Sequence, residues 1–231
     1  MSVWFSCTDP SLLDKQKTDS GYVFINAGEP IETPIGKYLH VPTEKLAAAV
    51  LKELKAATVH REELKFTKYI LTAIDHVEIR KDEIIRDLLA HTEVLAYWAI
   101  EPKGLAEREK KLWRPLLAWV EKEFCVKIKT THDMAPIQQS QVTLKALEAY
   151  LKSCNSYLLA VINDGAQLTG SLFVSVALCN GYMNGSKAFQ VAFVEEVFQN
   201  FQWGEDEESK EKQKEMEIDL QTVEQFVGLL T

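Results

Sequence analysis

A chain of 231 residues that is 46% hydrophobic and 10% aromatic has ample apolar material for one large packed domain or two small ones. Its formal charge of −8 and pI near 5.3 argue against nucleic acid or an anionic membrane as the main partner, because neither polyanion is attracted to such a surface; a basic or neutral protein surface fits better. Cys7, Cys125, Cys154 and Cys179 are scattered without a CxxC pair, which gives neither a disulfide framework nor a zinc site and fits a reducing compartment.

The opening MSVWFSCTDP carries neither a basic segment before an apolar stretch nor an Arg-rich amphipathic helix, so no secretory signal or transit peptide is expected in it. From Val3 to Val41, short apolar runs (VWF, YVFIN) alternate with turn formers (TDSG, AGEP, TPIGK), the pattern of a small antiparallel sheet with hairpins. VPTEKLAAAVLKELKAA then turns to helical spacing, with Thr43 as the expected N-cap and Leu46, Val50, Leu51 and Leu54 on one face. Beyond it the reading is helical throughout: Phe66 to His76, Asp82 to Ile100, Leu105 to Phe124, Gln141 to Lys152, Tyr157 to Asn180, Ser186 to Trp203, and Met216 to Leu230. Asn180-Gly181 and Glu101-Pro102 mark two helix ends. Strands followed by helices without alternation indicate an α+β fold: a small β-rich amino-terminal domain with a connecting helix over residues 1–60, then a larger all-α domain over 61–231.

Ala166 to Cys179 is 14 residues without a charge, short of the roughly 20 mostly apolar residues a membrane span needs. It reads as a buried central helix, in which Gly165 and Gly170 allow close approach of a neighbour. His40, His60, His76, His91 and His132 show no metal-ligand spacing. GAQLTGS (165–171) has phosphate-loop spacing but places Ser171 where lysine is required, and GxSxG and GxGxxG are both absent. The pairs Glu62-Glu63 and Glu195-Glu196 fall on solvated helix faces, where carboxylates make poor general acids. No residue pattern argues for catalysis.

Aromatic side chains carry more information. In KKLWRPLLAWVEKEF, Pro115 must kink a helix or begin one, and Trp119 is expected to pack in the core with Leu116 and Val120. Phe189, Phe193, Val197 and Phe201 recur every four residues, a stripe that reads mostly as core. After Trp203 and a capping Gly204 come Glu205, Asp206, Glu207 and Glu208, which on this reading crowd the negative end of a helix dipole. Carboxylates beside Trp203 would suit a partner bearing Arg or Lys.

Taken in order, LTAIDHV (71–77), TEVLAYWAIEP (92–102), WRPLLAW (113–119), MAPIQQ (134–139), LTGSL (168–172) and EEVFQNFQWGEDEE (195–208) resemble the mitochondrial F1 ATP synthase assembly chaperones that hold the α subunit, and AGEPIETPIGKYLHVPTEKLA is similar to the strand region of that family. The resemblance covers nearly the whole chain. It implies a non-enzymatic chaperone that binds free F1 α subunit until the β subunit pairs with it, with no nucleotide, metal or other cofactor, in the mitochondrial matrix or, for bacterial members, the cytoplasm. Residue by residue, it assigns partner contact to Glu196, Gln199, Trp203, Gly204, Glu205, Asp206 and Glu207. Four positions depart from the family pattern: Leu54 stands for an expected Trp, Glu109 for a Gln ahead of WRPLLAW, and Glu29 and Glu32 for basic residues. The chain is taken as a monomer by default, without nucleic acid or a membrane span. Two other classes fit the residues alone: an adaptor whose acidic helix end docks a different basic protein, and a helical enzyme, which would need convergent titratable groups in a concave pocket.

Overall fold

The structure, a computed structural model, describes residues 9–60, 64–90, 93–133, 135–204 and 207–231, the side chains of 58–60 excepted. The architecture is α+β, and the chain divides into two units: one comprises the residues up to Lys81 with Asn155–Ala160 and Gln225–Thr231, the other Asp82–Cys154 and Val161–Glu224.

In the first unit, β1 (Leu13–Thr18) and β2 (Gly21–Asn26) form a hairpin in register from Leu13 opposite Asn26 to Thr18 opposite Gly21. Two short strands, β3 (Glu29–Pro30) and β4 (His40–Val41), pair antiparallel with β2. The strand expected at Val3–Phe5 lies outside the described residues, while LDKQKT, unmarked by apolar alternation, forms β1. Only Leu13 of β1 is fully buried, and among the described residues β1 pairs with β2 alone, as a sheet edge whose side chains need not be apolar. Leu13, Phe24, Leu39 and Val41 meet Leu46, Val50 and Leu54 of α1 (Glu44–His60) in a core of fully or almost fully buried side chains. Thr43 caps α1 as its position predicts, its hydroxyl accepting from the Leu46 N–H at 3.2 Å. The Glu53 carboxylate accepts from the N–H groups of Phe66 and Thr67, both at 2.8 Å, and so caps α2 (Lys65–Thr72) from another helix. A π-turn (Ala73–Val77) joins α2 to α3 (Glu78–Ala90).

The second unit is built from α4 (Lys103–Glu123), α5 (Gln141–Ser153), most of α6 (Ser156–Thr169), α7 (Leu172–Cys179), α8 (Gly185–Ala192), α9 (Val194–Trp203) and the first part of α10 (Glu207–Leu230). All eight residues of α7 are buried, with α4 and α8 packed against it. The expected helix from Tyr157 to Asn180 is therefore two: it breaks at Gly170, whose φ of +65° a β-carbon would disfavour. Ser171 restarts the chain, its hydroxyl accepting from the Val174 N–H at 3.0 Å. Gly165 does allow close approach, since a β-carbon there would lie 2.6 Å from Ser175 Oγ on α7.

Three other expected helices are corrected. Asp82–Ile100 ends at Ala90, and Val94–Ala96 makes only one 3₁₀ turn before an extended segment, so Pro102 caps the start of α4 instead of stopping a helix. Ser186–Trp203 divides at Phe193 (φ −107°, ψ 27°) into α8 and α9. The last helix starts at Glu207, not Met216. α4 continues through Pro115. Trp119 is only partly buried, stacked on Tyr182 with centroids 4.8 Å apart, so it belongs to the periphery of the core expected around it. Among the described residues, no helix is long and apolar enough to cross a membrane.

Candidate functional site: an acidic groove beside α9

Residues Tyr97–Glu101 do not extend α4 backwards, because Pro102 sits at its N-cap in a β conformation and disfavours a helical residue before it. The segment is instead pinned by backbone pairing: Trp98 N–H donates to the Thr131 carbonyl at 2.9 Å, and Thr131 N–H to that of Ala96 at 2.7 Å. His132 Nδ1–H donates to the Trp98 carbonyl at 3.1 Å. The Trp98 ring meets Trp113 edge-on at 5.9 Å. Trp113, 3% exposed, donates from Nε1 to the Val191 carbonyl at 2.9 Å, one of the carbonyls left without a helical partner where α8 ends. One buried tryptophan thus ties the extended segment to the α8–α9 break.

Beneath the segment, Glu93 accepts from the Leu95 N–H at 3.3 Å and from the Phe173 N–H, in the first turn of α7, at 3.2 Å. Burial pushes its acid up to about 7, against hydrogen bonds from Ser171, Phe173 and Leu95 that favour the carboxylate.

Between Tyr97–Pro102 and α9 lies a groove of about 1080 Å³. Phe198 of α9 forms part of its floor and approaches α4 at Gly104, where a β-carbon would stand 3.2 Å from the ring. Among the described residues, four acidic ones line it, Glu101, Glu109, Asp133 and Glu195, together with His132, and no Lys or Arg does. Glu109, 2% exposed, accepts from the Ala99 N–H at 2.7 Å. Burial raises its acid; the Ala99 hydrogen bond opposes this, Glu195 adds to it, and His132 lowers it again. Large apolar side chains stand in solvent beside the groove or line its mouth: Ile100 at 64%, Phe201 at 74% and Trp203 at 81% exposed. Arg108 holds its guanidinium over the rings of Phe198 and Phe201, 5.3 and 5.4 Å from their centroids.

Of the residues assigned to partner contact, Trp203 and Gln199 line the groove, and Gln199 donates to Glu195 at 3.1 Å. Glu196 is exposed on α9 outside it. Gly204 ends the helix at φ +90°, donating to the Asn200 carbonyl at 3.0 Å. Glu205 and Asp206 lie outside the described residues. Glu207 opens α10, paired with Lys210 at 3.0 Å. The expected dipole conflict is therefore reversed for Glu207 and Glu208, which occupy the first turn of α10, the favourable end for carboxylates. Phe201, read as part of a core stripe, is solvent-exposed, because the break at Phe193 turns α9 away from the line of α8.

Ile100, Glu101 and Asp133 of the groove are not singled out as site residues by the sequence: Ile100 falls at the end of an expected helix that in the structure stops at Ala90, and Glu101 and Asp133 lie between the expected helices. Glu109 was visible only as a departure from the family pattern. Among the described residues, no group of His, Cys, Asp and Glu is arranged to hold a metal ion.

Comparison with known proteins supplies relatives. The family model described as ATP12 chaperone protein matches residues 12–121. A Schizosaccharomyces pombe protein named Protein atp12, mitochondrial, is 29% identical over 212 residues, covering 84% of this chain and 73% of its own. The crystal structure of Atp12 from Paracoccus denitrificans superposes with a TM-score of 0.87 at 27% identity, covering 95% of this chain and 96% of that one. The crystal structure of the Atu1473 protein from Agrobacterium tumefaciens superposes with the same TM-score of 0.87 at 25% identity, covering 97% of this chain and 85% of its own. The two structural likenesses take in nearly the whole chain, whereas the family model ends before α9.

Proposed function

We propose that this chain, which matches the ATP12 chaperone model over residues 12–121 and superposes on Atp12 of Paracoccus denitrificans along nearly its whole length, assists assembly of the F1 sector of ATP synthase by binding free α subunit until the β subunit pairs with it. The observation that carries the choice of surface is the exposure of Ile100, Phe201 and Trp203 around a concave, acidic groove. Large apolar side chains gathered at one place on a soluble surface mark an interaction site, and aromatic anchors supply much of the affinity where such sites bind.

Glu196, Gln199, Trp203, Gly204, Glu205, Asp206 and Glu207 belong to this client surface in the proposal. A folded surface of this kind covers an association-prone patch on the client and gives way to a larger, better matched interface when the β subunit arrives. The role needs no catalytic group and no cofactor, and in the proposal it belongs in the mitochondrial matrix or in the bacterial cytoplasm; the fission-yeast relative is named as mitochondrial.

The test is suppression of aggregation of isolated F1 α subunit at near-equimolar ratio, with β subunit and an unrelated aggregating protein as parallel clients. Selective protection of α is expected. Equal protection of all three would replace the proposal with a general holdase, and protection of none would overturn it.

A further inference from the structure

The groove is more specific than an exposed apolar patch. Its carboxylates come from three separate places: Glu101 at the end of the extended segment with Glu109 on the following helix, Asp133 beyond the Thr131 pairing, and Glu195 in the first turn of α9. No lysine or arginine among the described residues lines the groove to neutralise them. Glu109 is nearly inaccessible and lies close enough to Glu195 for the two to repel. A site that gathers like charges around aromatic walls is complementary to a cation with an apolar stem.

From this geometry we propose that the groove receives an arginine side chain from an exposed segment of the client, its guanidinium held by Glu195, Asp133 and Glu101 and stacked against Trp203. The proposal rests on the client reading above. Arginine fits better than lysine on two counts. Its planar fork presents five donors, which carboxylates spread around a groove can share, whereas an ammonium acts as a compact point charge. It also stacks on aromatic faces, and α9 already shows such a contact: the chain's own Arg108 lies over Phe198 and Phe201 on that helix. Arg108 does not line the groove, and among the described residues no other guanidinium does.

The test has two arms on the full chain. In the first, N-acetyl-arginine methylamide, its lysine counterpart and the uncharged isostere N-acetyl-citrulline methylamide are titrated while the indole N–H signals of the five tryptophans are followed by NMR. The arginine derivative should shift the Trp203 and Trp98 signals, with the lysine derivative weaker and citrulline without effect. The doubly substituted Glu195→Gln, Asp133→Asn chain should lose the response. Equal shifts from citrulline, or retention of the response in that variant, would overturn the proposal.

In the second arm, the affinity of isolated F1 α subunit is measured for the same variant against Glu211→Gln, Glu215→Gln on α10, which removes equal charge from exposed positions outside the groove. A fall of about tenfold or more confined to the groove variant is expected, together with a weaker dependence on salt. Equal losses in the two variants would show that net charge alone acts and would contradict a groove-specific contact. Failure of the unsubstituted chain to bind α subunit while still responding to arginine would overturn the choice of client and leave the arginine site standing.

Discussion

α7 and α9 are both short, apolar-rich helices of one unit, and they use their apolar residues in opposite ways. In α7, LFVSVALC buries every side chain, and its two termini are satisfied locally: Ser171 caps the first turn, Glu93 accepts from Phe173, and Asn180 with Gly181 closes the last. In α9, VEEVFQNFQW buries Val194 and Phe198 but leaves Phe201 and Trp203 in solvent. Aromatic content alone therefore does not mark the core. On the proposed function, the large apolar side chains that the fold leaves exposed at the mouth of an acidic groove are the ones offered to a partner.

The contrast breaks most severely at the residue that joins the two regions. Trp113→Ala should lower stability by about 3–5 kcal/mol, through the cavity left by a buried indole and the orphaned Val191 carbonyl. Chemical denaturation measures the loss directly. A change below about 1 kcal/mol would mean that Trp113 does not tie the groove wall to the α8–α9 break.

A smaller effect is expected at Glu93, under α7. Burial raises its acid from an ordinary 4.5 to about 7, so between these values the folded chain holds a proton that the unfolded chain has released. Stability with respect to this group is therefore highest at and below about pH 4.5 and declines as pH rises to about 7. Glu93→Gln should flatten the dependence of the thermal midpoint over this window and stabilise the chain at pH 8 by on the order of 1 kcal/mol, the removed burial penalty being partly offset by weaker hydrogen bonds. An unchanged pH profile would remove Glu93 from the account.

Smallest in stability and largest in binding is Trp203→Ala. With most of its surface already in water, the side chain should change folding by less than about 0.5 kcal/mol, while the affinity for F1 α subunit falls by about tenfold or more if it is an anchor. A matching loss of stability would return Trp203 to the core and dissolve the contrast with α7.

Much of the fold was legible where chemistry punctuates the chain. Thr43 announced the start of α1, Asn180-Gly181 the end of α7, and the helices around WRPLLAW and QVTLKALEAYLKS are found within one to two residues of their expected bounds. The breaks at Gly170 and Phe193 were not legible, because apolar residues continue on both sides and periodicity carries across a change of direction. β1 was missed for the opposite reason: an edge strand needs no apolar alternation. Of the residues lining the groove, Trp203 and Gln199 lie in the motif that the sequence singles out. Glu101 and Asp133 are not singled out, since they reach α9 only through the backbone pairing of Trp98 with Thr131, which local sequence does not encode.

Hydrogen–deuterium exchange on the complex with isolated F1 α subunit tests the central claim most directly. The groove as the client surface predicts added protection in 97–102 and 194–203 relative to the free chain, with α7 already protected in both states. Protection confined to the β1–β2 sheet, with α9 exchanging as it does in the free chain, would contradict it.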